Sequence, residues 1–407
     1  MQAKEQKGKR TALQVRIAIA ILSLNALALA KNVISLIIAD LIKTYPQYPV
    51  STIQLIFSTT TGMAVVGSLL CIWLVKRMTL KSISMLTLLS VLAGGVIGLF
   101  CAKTSVPLLF VSSVLIGIGM GLITPLNGIN IANHFEGAEL VRMNSQNSIA
   151  ATVGSLVFPL IGGLLVAIDW PCVYWIFFLT IPVMIITVIV QPKEEIQRAP
   201  KAADGGKKEK VKVWSPALIC WVIESFFAGL CWMVYQSNAS PLFQNLGFSN
   251  YAQMASYGSF VFAGVNVIAA TTLKVFCRKF GKPCMTGGIV LMAIGLFMLS
   301  ACRSASMVWL IFVATAVIGF GFGIFKSASF VFLPITLEKE ATAKGFSYFN
   351  AANVLGNFLT PYLITSTVAR MGGTIHTRYI LGAVLCAALS IFAIATQKLK
   401  GTEKIAD

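Results

Sequence analysis

Charge is scarce in this chain. Of its 407 residues only 14 are Asp or Glu, and 11% carry any charge, against roughly 25% in soluble domains. That excludes a soluble globular protein. There are two histidines, His134 and His376, both at the edges of apolar runs, which leaves no base beside a nucleophile for hydrolysis. No G-x-x-x-x-G-K-[ST] loop occurs to cradle phosphates; Lys326-Ser327 does follow a glycine-rich stretch, but inside an apolar run. The nine cysteines are odd in number and never spaced C-x-x-C. They read as small buried hydrophobes, with no disulfide framework, metal or cofactor implied.

What the chain has in quantity is hydrocarbon: 57% hydrophobic residues and a mean hydropathy of +0.83. A bilayer core takes about 20 apolar residues to cross as a helix. That ruler finds twelve runs, near 14–41, 52–75, 82–102, 107–133, 144–167, 172–190, 215–240, 252–276, 284–302, 307–333, 346–368 and 378–397. Lipid offers no partners to backbone N–H and C=O groups, so each run must be a helix. The expected organisation is an N-terminal tail over 1–12, a six-helix bundle over 13–190 and a basic linker over 191–213. A second six-helix bundle over 214–397 and a tail over 398–407 complete it.

The halves repeat. Gly117-Ile118-Gly119-Met120-Gly121 returns 202 positions later as Gly319-Phe320-Gly321-Phe322-Gly323. Gly154 with Pro159 returns as Gly356 with Pro361, and Arg142 as Lys344, at the same offset. A duplicated unit of this size is how many transporters are built. With both termini on one face, that face collects 25 Lys and Arg, and the other only Lys43, Lys103, Arg303, Arg370 and Arg378. The positive-inside rule makes the rich face cytoplasmic. The net charge of +18 therefore reflects topology and anionic lipid, not nucleic acid. The setting is a plasma (bacterial inner) membrane, and the protein is expected to be monomeric.

Twelve spans in two sixes around a basic loop resemble the major facilitator superfamily of secondary transporters, over nearly the whole chain. After the second span the family pattern G-x-x-x-D-[RK]-x-G-x-[RK] is matched by Lys76, Arg77 and Lys81, with Lys76 in place of the acid. Its second copy is Arg278, Lys279 and Lys282, with Arg278 in place of the acid. The resemblance implies that these loops act as cytoplasmic gates. The fourth span's glycine triplet is similar to R-x-x-x-G-x-G-x-G, with Ser113 where the family's proton-linked arginine stands. Gly154 to Gly163 is similar to the drug-antiporter G-P-x-x-G-G, with Phe158 replacing its first glycine. Asp169 to Phe177 with Pro182 looks like the family's aromatic opening of span six. The implied fold is all-α, twelve transmembrane helices in two pseudo-twofold-related six-helix bundles. Gly154, Pro159, Gly356 and Pro361 are its expected hinges.

Charge at mid-membrane depth costs at least about 2.5 kcal/mol, so it marks function. Lys31, Glu224 and Lys326 lie there, on spans one, seven and ten, which with span four line the cavity in the family the chain resembles. Glu224 and Lys326 differ by about three residues in depth, close enough for an ion pair. Glu224, Ala228, Cys231, Tyr235 and Asn238 share one helical face. Thr124, the repeat mate of Lys326, and Asn127 add polarity in span four, and Asn25 and Asn32 lie on one face of span one. For these amides, and for Asn350, Asn353 and Asn357, hydrogen bonding between helices is the competing reading.

The expected substrate-binding set is therefore Lys31, Asn32, Asn25, Thr124, Asn127, Glu224, Tyr235 and Lys326. The expectation is a carrier working by alternating access on a small, carboxylate-like organic anion, with a coupling proton or counter-substrate. Proton-coupled efflux of lipophilic cations through Glu224 is the alternative. A receptor or sensor that binds without transporting is a third, from another class.

Overall fold

The computed structural model describes residues 2–191, 215–281, 283–336 and 342–397, and they are almost entirely helical. Most of the basic linker, the C-terminal tail and Lys282 lie outside the described residues. Among the described residues eleven helices are long and apolar enough to cross a bilayer: Gln14–Thr44, Val50–Leu74, Leu80–Cys101, Val106–His134, Arg142–Ile168, Trp170–Val190, Pro216–Asn245, Tyr251–Phe280, Pro283–Ala301, Ala305–Leu333 and Ile375–Thr396. These are spans one to ten and span twelve. The eleventh expected span is present in three pieces, an α-helix Thr342–Thr360, a π-helix Pro361–Ser366 and a short turn Thr367–Arg370. The first helix already starts at Gln2, in the N-terminal tail; Gln, Lys, Glu and Ala, the tail's main residues, are strong helix formers.

Span one is not one regular helix either. Its α-helix ends at Ala26, and a 3₁₀ stretch covers Ala30–Ile37 before α-geometry resumes at Ile38. The i→i+3 bonds from Leu27 to Leu24 and from Asn32 to Leu29 mark the change. Short non-α stretches inside helices recur at hinges and functional sites. Lys31 sits in this one.

The chain divides into two compact units, Met1–Ile34 with Thr59–Gly206, and Ser35–Ser58 with Lys207–Asp407. The boundary thus falls within spans one and two, not only at the linker. Inside each unit the glycine triplet does the same work. A Cβ on Gly117 or Gly121 would lie 2.5 Å from the Thr60 carbonyl oxygen or 2.0 Å from that of Ala64, both in span two. A Cβ on Gly319 would lie 2.8 Å from the Phe262 carbonyl oxygen, and on Gly323 3.0 Å from that of Asn266, both in span eight. Phe262 and Asn266 follow Thr60 and Ala64 by the same 202 positions. The middle glycines face elsewhere, Gly119 toward span three and Gly321 toward the Gly288 carbonyl of span nine. The motif is a close-packing device for two neighbours at once.

Backbone acceptors of interhelical bonds repeat as well. Asn25 donates to the Asn147 carbonyl at 2.6 Å in the first unit, and Ser225 donates to the Phe349 carbonyl at 2.7 Å in the second. Asn147 and Phe349 are again 202 apart. Asn127 completes the first cluster, donating to Ile21 O at 3.2 Å and Asn147 Oδ1 at 3.4 Å. Asn25→Ala should lower stability by about 1 kcal/mol, the ordinary worth of an interhelical bond in lipid, read as a lower midpoint in thermal unfolding. An unchanged midpoint would show the cluster to be idle.

Candidate functional site

In the first unit, Thr124, Gly128 and Ala132 of span four are exposed at successive turns, while Asn127 is fully buried in the cluster just described. Lys31 and Asn32 are half-buried. Asn25 and Asn32 do not share the continuous α-helical face expected of them, because the α-helix stops between them. Nothing in residues 27–37 announces that break; there is no glycine or proline. Gly154 packs against its start, where an added Cβ would be 2.0 Å from the Ala26 carbonyl oxygen. Gly356 makes the matching approach to the Phe226 carbonyl, also 2.0 Å. Pro159 lies within an unbroken helix, whereas Pro361 opens the π-helical segment.

The basic loops are placed as follows. Lys81 donates to the carbonyls of Val188 at 2.6 Å and Gln191 at 2.8 Å, capping the end of span six within its own unit. Arg77 lies over the Trp73 ring at 4.1 Å and Lys279 over Phe280 at 5.5 Å. Lys76 and Arg278 are exposed.

In the second unit, span seven turns most of its polar face toward span twelve. Glu224 is fully buried and its Oε1 accepts from Thr396 at 3.4 Å. Cys231 donates to the Gly382 carbonyl at 3.5 Å, and Asn238 Oδ1 accepts from Arg378 at 2.9 Å. Periodicity finds such a face but does not name the helix it meets. Tyr235 turns the other way and stacks on Phe262 of span eight, 5.6 Å between centroids.

Lys326 stands on a face formed by Phe322, Lys326 and Phe330, half-buried to exposed along its length. Phe322 stacks on Trp232 at 5.6 Å, and Phe262 lies 6.1 Å from Phe322 and 6.5 Å from Trp232. The Trp232 Nε1–H is buried with no acceptor among the described residues. Only two carboxylates occur among the described residues of this unit, Asp40 and Glu224. Asp40 accepts from Tyr251 and Glu224 from Thr396. Lys326 therefore presents an amine without an acidic partner among the described residues, one helical turn from an aromatic cluster. That arrangement suits a molecule with one anionic group and an apolar body.

The family model of the Major Facilitator Superfamily matches residues 20–361. The chain belongs to the major facilitator superfamily. As a member of that superfamily it is an integral membrane protein and a secondary transporter of small molecules, not an enzyme. Among solved structures it is similar to a D-xylose–proton symporter, with a TM-score of 0.70 and 18% identity over 92% of this chain and 97% of that one. The nucleoside transporter NupG gives a TM-score of 0.75 and 15% identity over 94% and 99%. The POT family transporter PepTSo gives 0.74 and 12% over 95% and 99%. At such identities the likeness is one of fold. No curated protein matches the chain by sequence.

Proposed function

We propose that this transporter carries a small organic anion. Lys326 engages the anionic group, and Trp232, Phe262 and Phe322 hold the apolar body, with the Trp232 N–H available to a substrate acceptor. Lys31, in the first unit, is a further cationic residue assigned to substrate binding. The observation that carries this reading is a half-buried lysine beside an aromatic cluster in a unit whose described carboxylates are both engaged elsewhere. An inorganic anion would have no use for the aromatic rings, and a lipophilic cation would meet the wrong charge.

Glu224 serves as the coupling-proton site in this scheme. It is a fully buried carboxylate linked to a hydroxyl on another helix, a place where charge is costly and proton uptake gives it relief. Glu224→Gln should leave substrate exchange intact and remove accumulation driven by a proton gradient. Loss of both together would assign Glu224 to structure or to substrate contact. The distribution of Lys and Arg puts both termini in the cytoplasm of a cell whose plasma membrane holds the carrier as a monomer.

A thermal-shift screen of the purified protein against a few hundred metabolites tests the substrate class. Carboxylates with a ring or a short hydrocarbon body should head the ranking. A ranking led by lipophilic cations would move the function to drug efflux.

A further inference from the structure

Arg378 enters no role in the sequence reading beyond its share of the sparse charge on one face. It is the fourth residue of the helix Ile375–Gln397 and is half-buried in the second unit. Its Nη1 donates to Asn238 Oδ1 at 2.9 Å, and the same oxygen accepts from Gln54 Nε2 at 2.9 Å. Gln54 Nε2 also donates to the Ser237 carbonyl at 3.1 Å, and Thr365 donates to Gln54 Oε1 at 2.5 Å. The acceptors around the guanidinium are thus already in use.

The other edge of the guanidinium is different. Nε is buried and has no partner among the described residues, and Nη2 makes no described hydrogen bond. Nε and Nη2 together form the side-on fork that grips a carboxylate through two parallel N–H···O bonds. The two carboxylates among the described residues of this unit each accept a hydroxyl elsewhere, Asp40 from Tyr251 and Glu224 from Thr396. The guanidinium also lies in the first turn of its helix, where the backbone dipole disfavours a cation and favours an anion.

We propose that the Nε–Nη2 edge of Arg378, held in place by Asn238, Gln54 and Thr365, is an anion-binding site for a carboxylate or a similar oxyanion. It goes beyond the Lys326 site and rests on the organic-anion reading only if the occupant is the substrate's own carboxylate. In that case Arg378 and Lys326 are successive anchors for one cargo. The oxyanion chemistry would equally suit free phosphate, and the test separates the two sources.

The purified full chain is titrated with benzoate, acetate and inorganic phosphate at constant ionic strength set by chloride, and its unfolding temperature is followed. Saturable stabilisation by benzoate and acetate is expected. Arg378→Gln and Arg378→Lys should each weaken carboxylate binding by about tenfold or more, the lysine variant because a point charge cannot replace the fork. If the glutamine variant does not fold, the lysine variant carries the test. Stronger stabilisation by phosphate, lost in the same variants, would keep the site and assign it to a free oxyanion. Unchanged carboxylate binding in Arg378→Lys, or no stabilisation of the unaltered protein by any of the three, would overturn the site. Binding lost in Lys326→Gln but kept in both Arg378 variants would leave the Lys326 reading standing and remove this one. Binding lost in the Arg378 variants but kept in Lys326→Gln would do the opposite.

Discussion

Replacing Lys326 with glutamine should reduce uptake of the organic anion by between about tenfold and about a hundredfold, while the protein still reaches the membrane. The size follows from losing hydrogen bonds to a charged group, worth about 1.5–3 kcal/mol in a protein interior. Asp40 and Glu224 keep their hydroxyl partners, Tyr251 and Thr396, when Lys326 is removed. The folded protein should even gain slightly in stability, since a half-buried cation disappears. A structural lysine would give the reverse, with lost expression and unchanged kinetics in what remains. Lys31→Gln should lower uptake as well, with expression intact; unchanged transport kinetics in that variant would remove Lys31 from the substrate-binding set.

The second large effect is expected from a single methyl group. Gly356→Ala places a carbon 2.0 Å from the Phe226 carbonyl oxygen, and Gly121→Ala does the same at Ala64. Backbone on both sides leaves no flexible side chain to yield, so the helices must move apart. Overpacking of this kind costs about 1–3 kcal/mol or more, and in a helix pair held by close backbone approach the loss extends along the contact. Little folded protein should be recovered. Gly128→Ala is the control, because nothing lies within 4 Å of its added carbon. Comparable folded yield from all three variants, by size-exclusion chromatography after detergent extraction, would refute the packing argument.

These glycines also show how much was legible before any coordinates. Apolar run length gave the spans, and the 202-residue offset gave the repeat. The structure adds that the repeat extends to contacts, since Gly117 meets Thr60 as Gly319 meets Phe262. Where the reading fell short, the missing information was long-range. Helical spacing put Glu224, Cys231 and Asn238 on one face, but only the fold shows that span twelve lies against it. The assumed regular helix for span one hid its 3₁₀ stretch, because packing imposed it on residues with no breaker among them. Pro361 did signal an irregularity, and the π-helix starts there. Gln54 and Arg378 were passed over for a simpler reason. Each sits near the end of a span, where a polar residue ordinarily needs no explanation, and their shared partner Asn238 is remote from both in sequence.

Purified protein in liposomes preloaded with unlabelled benzoate, then diluted into a trace of labelled benzoate, tests the account most directly. A carrier of organic anions should draw the label inward to a transient peak above equilibrium, and Lys326→Gln should flatten that peak. A flat trace for benzoate and other carboxylates, with overshoot for a lipophilic cation such as tetraphenylphosphonium, would contradict it.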